Sequence, residues 1–241
     1  MDPVAPVRSL WVYLGASPLL WLLLTLGVYV LALRVQKRLG GSPWANPVLL
    51  SVAALVAVLA ATGTPYATYF DGAQFVHFLL GTATVALAVP LRRQWSQVRA
   101  VLAPATLTLL AGNIAGAASA MAVLALWGAP ATLVASIAPK GVTAPVAMAV
   151  AERVGGLPSL TAVLVIASGI LGATMATPLL DTLHVRDRAA RGLAVGIAAH
   201  GIGTARAFQV DAVAGTFAGV GMAVSTVMTS VLVPWLVPLF V

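Results

Sequence analysis

Residues 136–145 read SIAPKGVTAP, a polar segment with two prolines inside an otherwise apolar stretch of the chain. A second interruption follows at residues 199–206, which read AHGIGTAR. Each segment places a cation, a glycine and a hydroxyl side chain where a lipid-facing helix would otherwise continue. Backbone that leaves a helix at membrane depth has to be hydrogen-bonded by protein or by a water-filled cavity. Because discontinuous helices of this kind build the substrate sites of many secondary transporters, the two breaks predict the working part of a membrane carrier.

The composition predicts that the chain is integral to a membrane. Of its 241 residues, 61% are hydrophobic and only 8% are charged, and the mean hydropathy is +1.02. Soluble domains carry about 25% charged residues, so a water-exposed surface cannot be made from this composition. The apolar runs are too long for barrel strands, which predicts an all-α polytopic membrane protein. The absence of cysteine excludes disulfides and cysteine nucleophiles.

Apolar runs and basic clusters together predict a topology. About six transmembrane helices are expected, at residues 15–33, 47–63, 73–90, 100–127, 158–180 and 212–240. Three basic clusters flank them: Arg34/Lys37/Arg38, Arg92/Arg93/Arg99 and Arg186/Arg188/Arg191. The positive-inside rule puts all three clusters in the cytoplasm, which leaves the N-terminus outside.

The same topology constrains the two breaks. Residues 131–152 have to enter the membrane from the outer face and return to that face. Residues 188–210 have to do the same from the cytoplasmic face. Neither segment is long enough for two crossings of about 20 residues each. We therefore expect two oppositely oriented re-entrant hairpins, in the inverted-repeat arrangement of many transporters. A competing interpretation is that each segment crosses once as a broken helix, with residues 82–90 as the partner of the first break.

The breaks also predict how the chain is divided into functional regions. Residues 1–99 are expected to form N-terminal scaffold helices that mediate oligomerisation. Residues 100–241 are expected to form the transport core, with its helix breaks at 136–145 and 199–206. Movement of the core against the scaffold would then give alternating access.

The first break has the chemistry of an anion site. A lysine at the depth of Lys140 costs about 2.5–3.5 kcal/mol on insertion unless it is paired or hydrated. Thr143 stands where a helix N-cap is expected, and Pro145 suits the first turn of that helix. The free N–H groups of the helix start would point toward the tip, beside Gly141. The alternative is that Lys140 extends to the interface and that Pro145 only ends a helix.

The second break repeats this chemistry. Thr204 is expected to cap a helix that begins at the next residue, and Gly203 to allow close backbone approach. The planar fork of Arg206 suits a carboxylate. His200 is the candidate proton carrier, with Asp211 as a second candidate for proton coupling. The alternative is that Arg206 forms an ion pair with Asp211 and that His200 caps a helix.

Asn113 is a further candidate for the substrate site. It lies mid-span between Gly112 and Gly116, which form a small-xxx-small pair. Helix packing with an interhelical hydrogen bond is the alternative role for this amide.

Missing motifs exclude other functions. The chain lacks a GxxxxGK[ST] loop for ATP, an HExxH motif and a Ser/His/Asp spacing, so we expect no enzyme, no cofactor and no metal site. The basic residues lie in short clusters beside apolar runs, which indicates topology and no nucleic-acid partner. Because the buried charges are cationic, the predicted substrate is a small anion.

Several motifs in order carry a resemblance to a known family. They are residues 136–148 (SIAPKGVTAPVAM), 155–158 (GGLP), 189–194 (AARGLA) and 199–207 (AHGIGTARA), with 46–50 (NPVLL) and 84–91 (TVALAVPL) in the first half. At these positions the chain resembles the LrgB/CidB family of bacterial membrane proteins, whose plant relatives include the plastidal glycolate/glycerate translocator. The chain departs from the family pattern at Gly141, where a serine or threonine is expected.

The resemblance implies two different functions. The plant relatives carry small 2-hydroxycarboxylates, whereas bacterial members are named holin-like or antiholin-like regulators of murein hydrolase export and cell lysis. It also implies the bacterial inner membrane, with membrane lipid around the protein, and an LrgA/CidA-like membrane partner. Our hypothesis is a proton-coupled secondary transporter of small monocarboxylates such as glycolate, glycerate, lactate or pyruvate, in a homo-oligomer, expected to be a dimer. The alternative is the holin-like regulator.

Overall fold

The structure is a computed structural model, and it describes residues 17–86 and 88–241. Within these residues the chain forms helices joined by short turns and loops, and it contains no strand. The predicted fold class, an all-α polytopic membrane protein, is therefore confirmed.

The chain divides into two compact units, Met1–Ala86 and Leu87–Val241. The first unit contains α1 (Pro18–Arg38), a 3₁₀ turn (Pro43–Ala45), α2 (Pro47–Thr62) and α3 (Tyr66–Ala86). Asn46 caps α2, because its side-chain oxygen accepts from the amide of Val48 at 2.9 Å. Trp21 of α1 is fully buried, and its ring meets that of Tyr69 edge-on.

The second unit contains the remaining helices and both predicted breaks. They are α4 (Ala88–Arg93), α5 (Trp95–Ala100), α6 (Leu102–Leu126), α7 (Ala131–Ile137), α8 (Ala144–Arg153), α9 (Pro158–Thr182), α10 (Arg188–Val210) and α11 (Ala212–Leu236), followed by a 3₁₀ turn at Val237–Leu239. The predicted roles of residues 1–99 as scaffold and 100–241 as transport core stay predictions.

Four helices among the described residues are long and apolar enough to cross a membrane. They are Pro18–Arg38, Ala103–Leu126, Pro158–Thr182 and Ala212–Leu239. The two other predicted runs coincide with α2, an apolar helix of 16 residues, and with most of α3. The start of the first predicted run lies outside the described residues. So does residue 87, which belongs to the segment 82–90 of the broken-helix interpretation. The chain is thus a multi-pass membrane protein, and the outside position of its N-terminus stays a prediction.

The closest packing in the second unit joins α10 to α11. A Cβ atom added at Gly192 would lie 2.3 Å from the carbonyl oxygen of Ala214, and one at Gly196 would lie 2.3 Å from that of Ala218. Small residues spaced four apart on both helices therefore bring the two backbones together, as is common in membranes. This packing fixes α10, which contains the second break, against the most buried of the apolar spans.

Candidate functional site

The first break separates α7 from α8. Helix α7 ends at Ile137 and α8 begins at Ala144, and a buried Pro139 lies between them. Thr143 occupies the N-cap position with extended backbone, and Pro145 lies in the first turn, both as predicted. Within the described residues, however, the Thr143 side chain forms no capping hydrogen bond. The free N–H groups of α8 are therefore not satisfied by that hydroxyl.

Ser136 fixes this break to the start of α9. Its hydroxyl oxygen accepts from the amide of Leu157 at 2.8 Å, and its carbonyl accepts from the Thr161 hydroxyl at 2.9 Å. Ser136 is fully buried. A Cβ atom at Gly156 would lie 2.9 Å from the Ser136 nitrogen, so the GGLP motif packs directly on the end of α7.

Lys140 extends from the first break into the interior of the unit. Its Nζ donates to the carbonyl of Gly116 at 3.2 Å. Gly116 lies ten residues before Leu126, the end of α6, which is about 15 Å along the helix axis. The amine is therefore at the level of the middle of a membrane-spanning helix, which argues against the alternative in which Lys140 extends to the interface. An ammonium group has three donors, and the other two have no protein partner among the described residues.

Lys140 and Gly141 line an internal cavity of about 130 Å³. The other residues around it come from α6, from the first break, from α10 and from α11: Gly112, Asn113, Gly116, Ala117, Ala138, Ile197, Ala198 and Thr229. A Cβ atom at Gly116 would meet nothing within 4 Å, so this glycine opens the cavity, whereas Gly112 packs against the Ile197 side chain.

Asn113 connects two helices at the wall of this cavity. Its Nδ2 donates to Ser225 Oγ at 3.0 Å and to the carbonyl of Leu109 at 2.7 Å. Its Oδ1 accepts from Thr229 Oγ1 at 3.1 Å. Asn113 thus forms the interhelical hydrogen bonds of the packing alternative and also lines the cavity. Ser225 and Thr229 were not predicted as site residues, although their spacing of four residues places two hydroxyls on one face of α11.

The second break lies at His200. Its backbone has φ of 38° and ψ of −131°, which interrupts α10 between two helical halves. A positive φ is uncommon for a residue with a side chain and indicates a conformation that the surrounding structure imposes. The ring is buried, and its Nε2 lies 3.0 Å from the carbonyl of Val165 in α9.

The predicted role of Thr204 as a helix cap is wrong. Thr204 lies inside the second half of α10, and its hydroxyl donates to the carbonyl of His200 at 2.8 Å. The helix resumes directly after His200, because the backbone of His200 alone has the non-helical conformation that changes the chain direction. Gly203 is in close contact as predicted, since a Cβ atom there would lie 2.5 Å from the Ala199 Cβ.

The two breaks lie next to each other and share a support on α9. A Cβ atom at Gly141 would lie 3.0 Å from the carbonyl oxygen of Ile197, just before the second break. The Ser168 hydroxyl lies 3.0 Å from both the Lys140 and the Val165 carbonyl oxygens. The space for the His200 ring comes from Gly169, where a Cβ atom would lie 2.6 Å from Nε2.

Arg206 and Asp211 lie away from the cavity of Lys140. Arg206 lines a separate small cavity, and its Nη1 donates to Gln209 Oε1 at 3.2 Å. Asp211 forms its ion pair with Arg188, so the alternative prediction of an ion pair between Arg206 and Asp211 is wrong. Its carboxylate also caps α11. The backbone amide of Ala214, the guanidinium of Arg188 and the backbone amide of Val213 all lower the pKa of Asp211. Of the predicted substrate residues, the structure therefore brings together Lys140, Gly141 and Asn113 around one cavity. The cavity is not lined by the other predicted substrate residues, which are Thr143, His200, Gly203, Thr204 and Arg206.

Comparison with known proteins identifies the family. The pattern of the LrgB-like family matches residues 25–239, which is most of the chain. The chain belongs to the LrgB-like family. No solved structure matches it.

Relatives of this LrgB-like chain cover nearly its full length. The holin-like protein CidB of Staphylococcus epidermidis is 29% identical over 221 residues, which is 92% of this chain and 96% of the relative. CidB of Staphylococcus aureus is 29% identical over 222 residues, with the same coverage. The uncharacterised protein YwbG of Bacillus subtilis is 34% identical over 216 residues, which is 89% of this chain and 95% of the relative.

Proposed function

We propose that this protein is a secondary carrier of small monocarboxylates such as glycolate, glycerate, lactate or pyruvate. The observation that carries the proposal is the Lys140 ammonium group, which lies in an internal cavity between two helix breaks. A cation at membrane depth is costly unless something compensates its charge. The described residues around the cavity include no carboxylate, and the ammonium group has one neutral carbonyl as its hydrogen-bond partner. A bound carboxylate would supply the missing negative charge.

The dimensions and polarity of the cavity support a small substrate with one charge. A volume of about 130 Å³ holds several water molecules, and hence a solute of a few heavy atoms. One ammonium group matches one carboxylate. The amide of Asn113 and the hydroxyl of Thr229 form a polar wall that would orient the remaining polar atoms of the substrate.

His200 supports coupling to protons. A carbonyl can only accept, so the contact with Val165 requires the hydrogen on Nε2. The Nδ1 atom then remains as the position that gains and loses a proton. Because His200 is also the residue that bends α10, its protonation and the geometry of the second break would change together, which links proton binding to alternating access.

The second candidate function is that of a holin-like regulator of murein hydrolase export and lysis. The names of the CidB relatives favour this candidate more directly than they favour a carrier, and none of the relatives reported above is named for a transported solute. In either case we expect the bacterial cytoplasmic membrane as the location, a homodimer as the working unit and an LrgA/CidA-like protein as a membrane partner.

The two candidates differ in what passes the membrane. The test is uptake of labelled glycolate, lactate and pyruvate into proteoliposomes of the purified full chain, with and without an imposed pH gradient. A neutral sugar of similar size measures leakage. A carrier gives saturable, gradient-sensitive uptake of acid without sugar. Equal leakage of sugar and acid contradicts the carrier and favours the holin-like function.

Lys140→Gln locates the site within the same assay. We expect it to abolish saturable uptake, because glutamine keeps a flexible polar side chain, one atom shorter than lysine, but removes the charge. Lys37, the only other lysine of the chain, lies exposed near the end of α1. Lys37→Gln is the matched control and should leave uptake unchanged. Unchanged uptake in Lys140→Gln would remove this residue from the site.

A further inference from the structure

We propose a second binding site, for the headgroup and one acyl chain of an anionic phospholipid, on the surface formed by α9 and α10. This site is separate from the cavity of Lys140 and does not depend on the proposed carrier function. It consists of an apolar groove and a small cavity lined by two arginines. The groove and the cavity share Ala176, Leu180 and Val195 in their walls, so they adjoin each other.

The apolar part has the character of an acyl-chain groove. Its volume is about 150 Å³, and its wall contains only hydrophobic side chains and glycine: Gly172, Met175, Ala176, Leu179, Leu180, Ala194, Val195 and Ala198. Met175 and Leu179 are about half exposed, so the groove lies open at the surface of the unit. Helix α9 is long and apolar enough to span the membrane, so lipid chains are the medium that this surface meets.

The polar end of the groove has the chemistry of a phosphate site. Arg191 and Arg206 line the cavity of about 30 Å³ that adjoins the groove, together with the hydroxyl-bearing Thr177. The Nη1 of Arg191 donates to Asp181 at 2.6 Å and to the carbonyl of Val185 at 3.1 Å. Its Nε and Nη2 have no partner among the described residues. Guanidinium groups bind phosphate oxygens through two parallel hydrogen bonds. The half-buried guanidinium of Arg191, held in place by its two hydrogen bonds, suits this kind of contact.

Charge and position agree with this occupant. Arg191 and Arg206 line the cavity and Asp181 bonds to Arg191, so these three side chains together carry one net positive charge. The positive-inside rule places this cluster at the cytoplasmic face, where anionic lipids attract basic groups. A basic pocket between membrane helices at that face is a known type of lipid headgroup site. A free anion would use the arginines but would leave the apolar groove empty.

Native mass spectrometry of the full chain tests the proposal. The protein is purified in detergent and titrated with phosphatidylglycerol or phosphatidylcholine of the same acyl chains. We expect one phosphatidylglycerol to be retained at concentrations at which phosphatidylcholine is not. Arg206→Gln should weaken this retention about tenfold, because a charge-assisted contact is replaced by a neutral one. Ala194→Leu, which fills the groove and leaves both arginines in place, should weaken it as well.

Two controls make the result specific. Arg186→Gln removes an exposed charge from the loop between α9 and α10, at a position that lines neither the groove nor the cavity. This variant should retain the lipid as the unaltered chain does. Glycerol 3-phosphate, which has the phosphate and a glycerol but no acyl chain, should not displace phosphatidylglycerol. Equal retention of the two lipids, full retention in Arg206→Gln, or displacement by glycerol 3-phosphate would each overturn the proposal. Burial of the groove between two copies of the chain, seen as dimers that exclude the lipid, would overturn it too.

Discussion

The hydroxyl of Ser168 lies 3.0 Å from the main-chain carbonyl of Lys140, which connects the first helix break to the middle of α9. The same hydroxyl lies 3.0 Å from the carbonyl of Val165, which is the hydrogen-bond partner of the His200 ring. One turn of α9 therefore supports both breaks. A change at this turn is expected to affect the two breaks together, although they lie far apart in the sequence.

Ser168→Ala should destabilise the protein and weaken the proposed site without changing any group that lines it. The lost hydrogen bond is worth about 1 kcal/mol, which corresponds to a decrease of about 2–4 °C in the unfolding temperature. Thermal unfolding in detergent measures the effect. Ser159, an exposed residue in the first turn of the same helix, provides the control Ser159→Ala, for which we expect no measurable change. Equal stabilities of the two variants would show that the turn of Ser168 does not hold the breaks.

His200→Gly should be less destabilising than His200→Ala. Both variants lose the contact with Val165, but only glycine adopts a positive φ without strain. This order is the reverse of that in an ordinary helix, where glycine is about 1 kcal/mol worse than alanine. Unfolding temperatures of the two variants give the sign directly.

Ala205→Gly serves as the control for the His200 pair. Ala205 is exposed in the regular second half of α10, so glycine should cost stability there in the usual way. If His200→Gly is the less stable of the His200 pair, the backbone at the second break is not strained.

Thr229→Val should destabilise the protein by about 1–3 kcal/mol, because it leaves the Oδ1 atom of Asn113 buried without its donor. Valine has nearly the same shape, so the effect reports the hydrogen bond. Thr226→Val is the control, since the Thr226 hydroxyl donates only to the carbonyl of Met222 within its own helix. A double-mutant cycle of Thr229→Val with Asn113→Ala should show a coupling of about 0.5–3 kcal/mol. Additive effects would mean that the two side chains act independently.

Asp211→Asn should reduce stability at neutral pH and have a smaller effect in acid. The Ala214 amide and, to a smaller extent, the Arg188 guanidinium lower the pKa of Asp211 below its ordinary value of 3.8. A group whose pKa is lowered by folding stabilises the protein fully above its ordinary value, and this contribution is lost as the pH falls through the folded pKa. The difference in unfolding temperature between Asp211→Asn and the unaltered chain should therefore be greatest near pH 7 and decrease below pH 3.8. Asp71→Asn, at an exposed position in α3, is the comparison; a difference for Asp211→Asn that does not change with pH would contradict the argument.

The sequence by itself determined the class of protein, the approximate spans and the places where helices break. These properties are local: a run of apolar residues has to be helical in lipid, and proline, glycine and a cation at 136–145 interrupt such a run wherever it packs. The positions of Thr143 and Pro145 at the start of α8 follow from the same local rules. The order of motifs along the chain was also sufficient for the family.

Only the tertiary structure decided which of the polar residues lie together. Arg206 and Lys140 look equivalent in sequence, yet they line different cavities. Lys140 lies in the break between α7 and α8, whereas Arg206 lies in the second half of α10, after the bend at His200. That bend depends on the Val165 carbonyl and on the space above Gly169, which belong to another helix. Ser225 and Thr229 meet Asn113 for the same reason, since α6 and α11 are distant in sequence and adjacent only after packing. Contacts of this kind depend on side-chain fit between helices, and a single sequence contains no local signal for them.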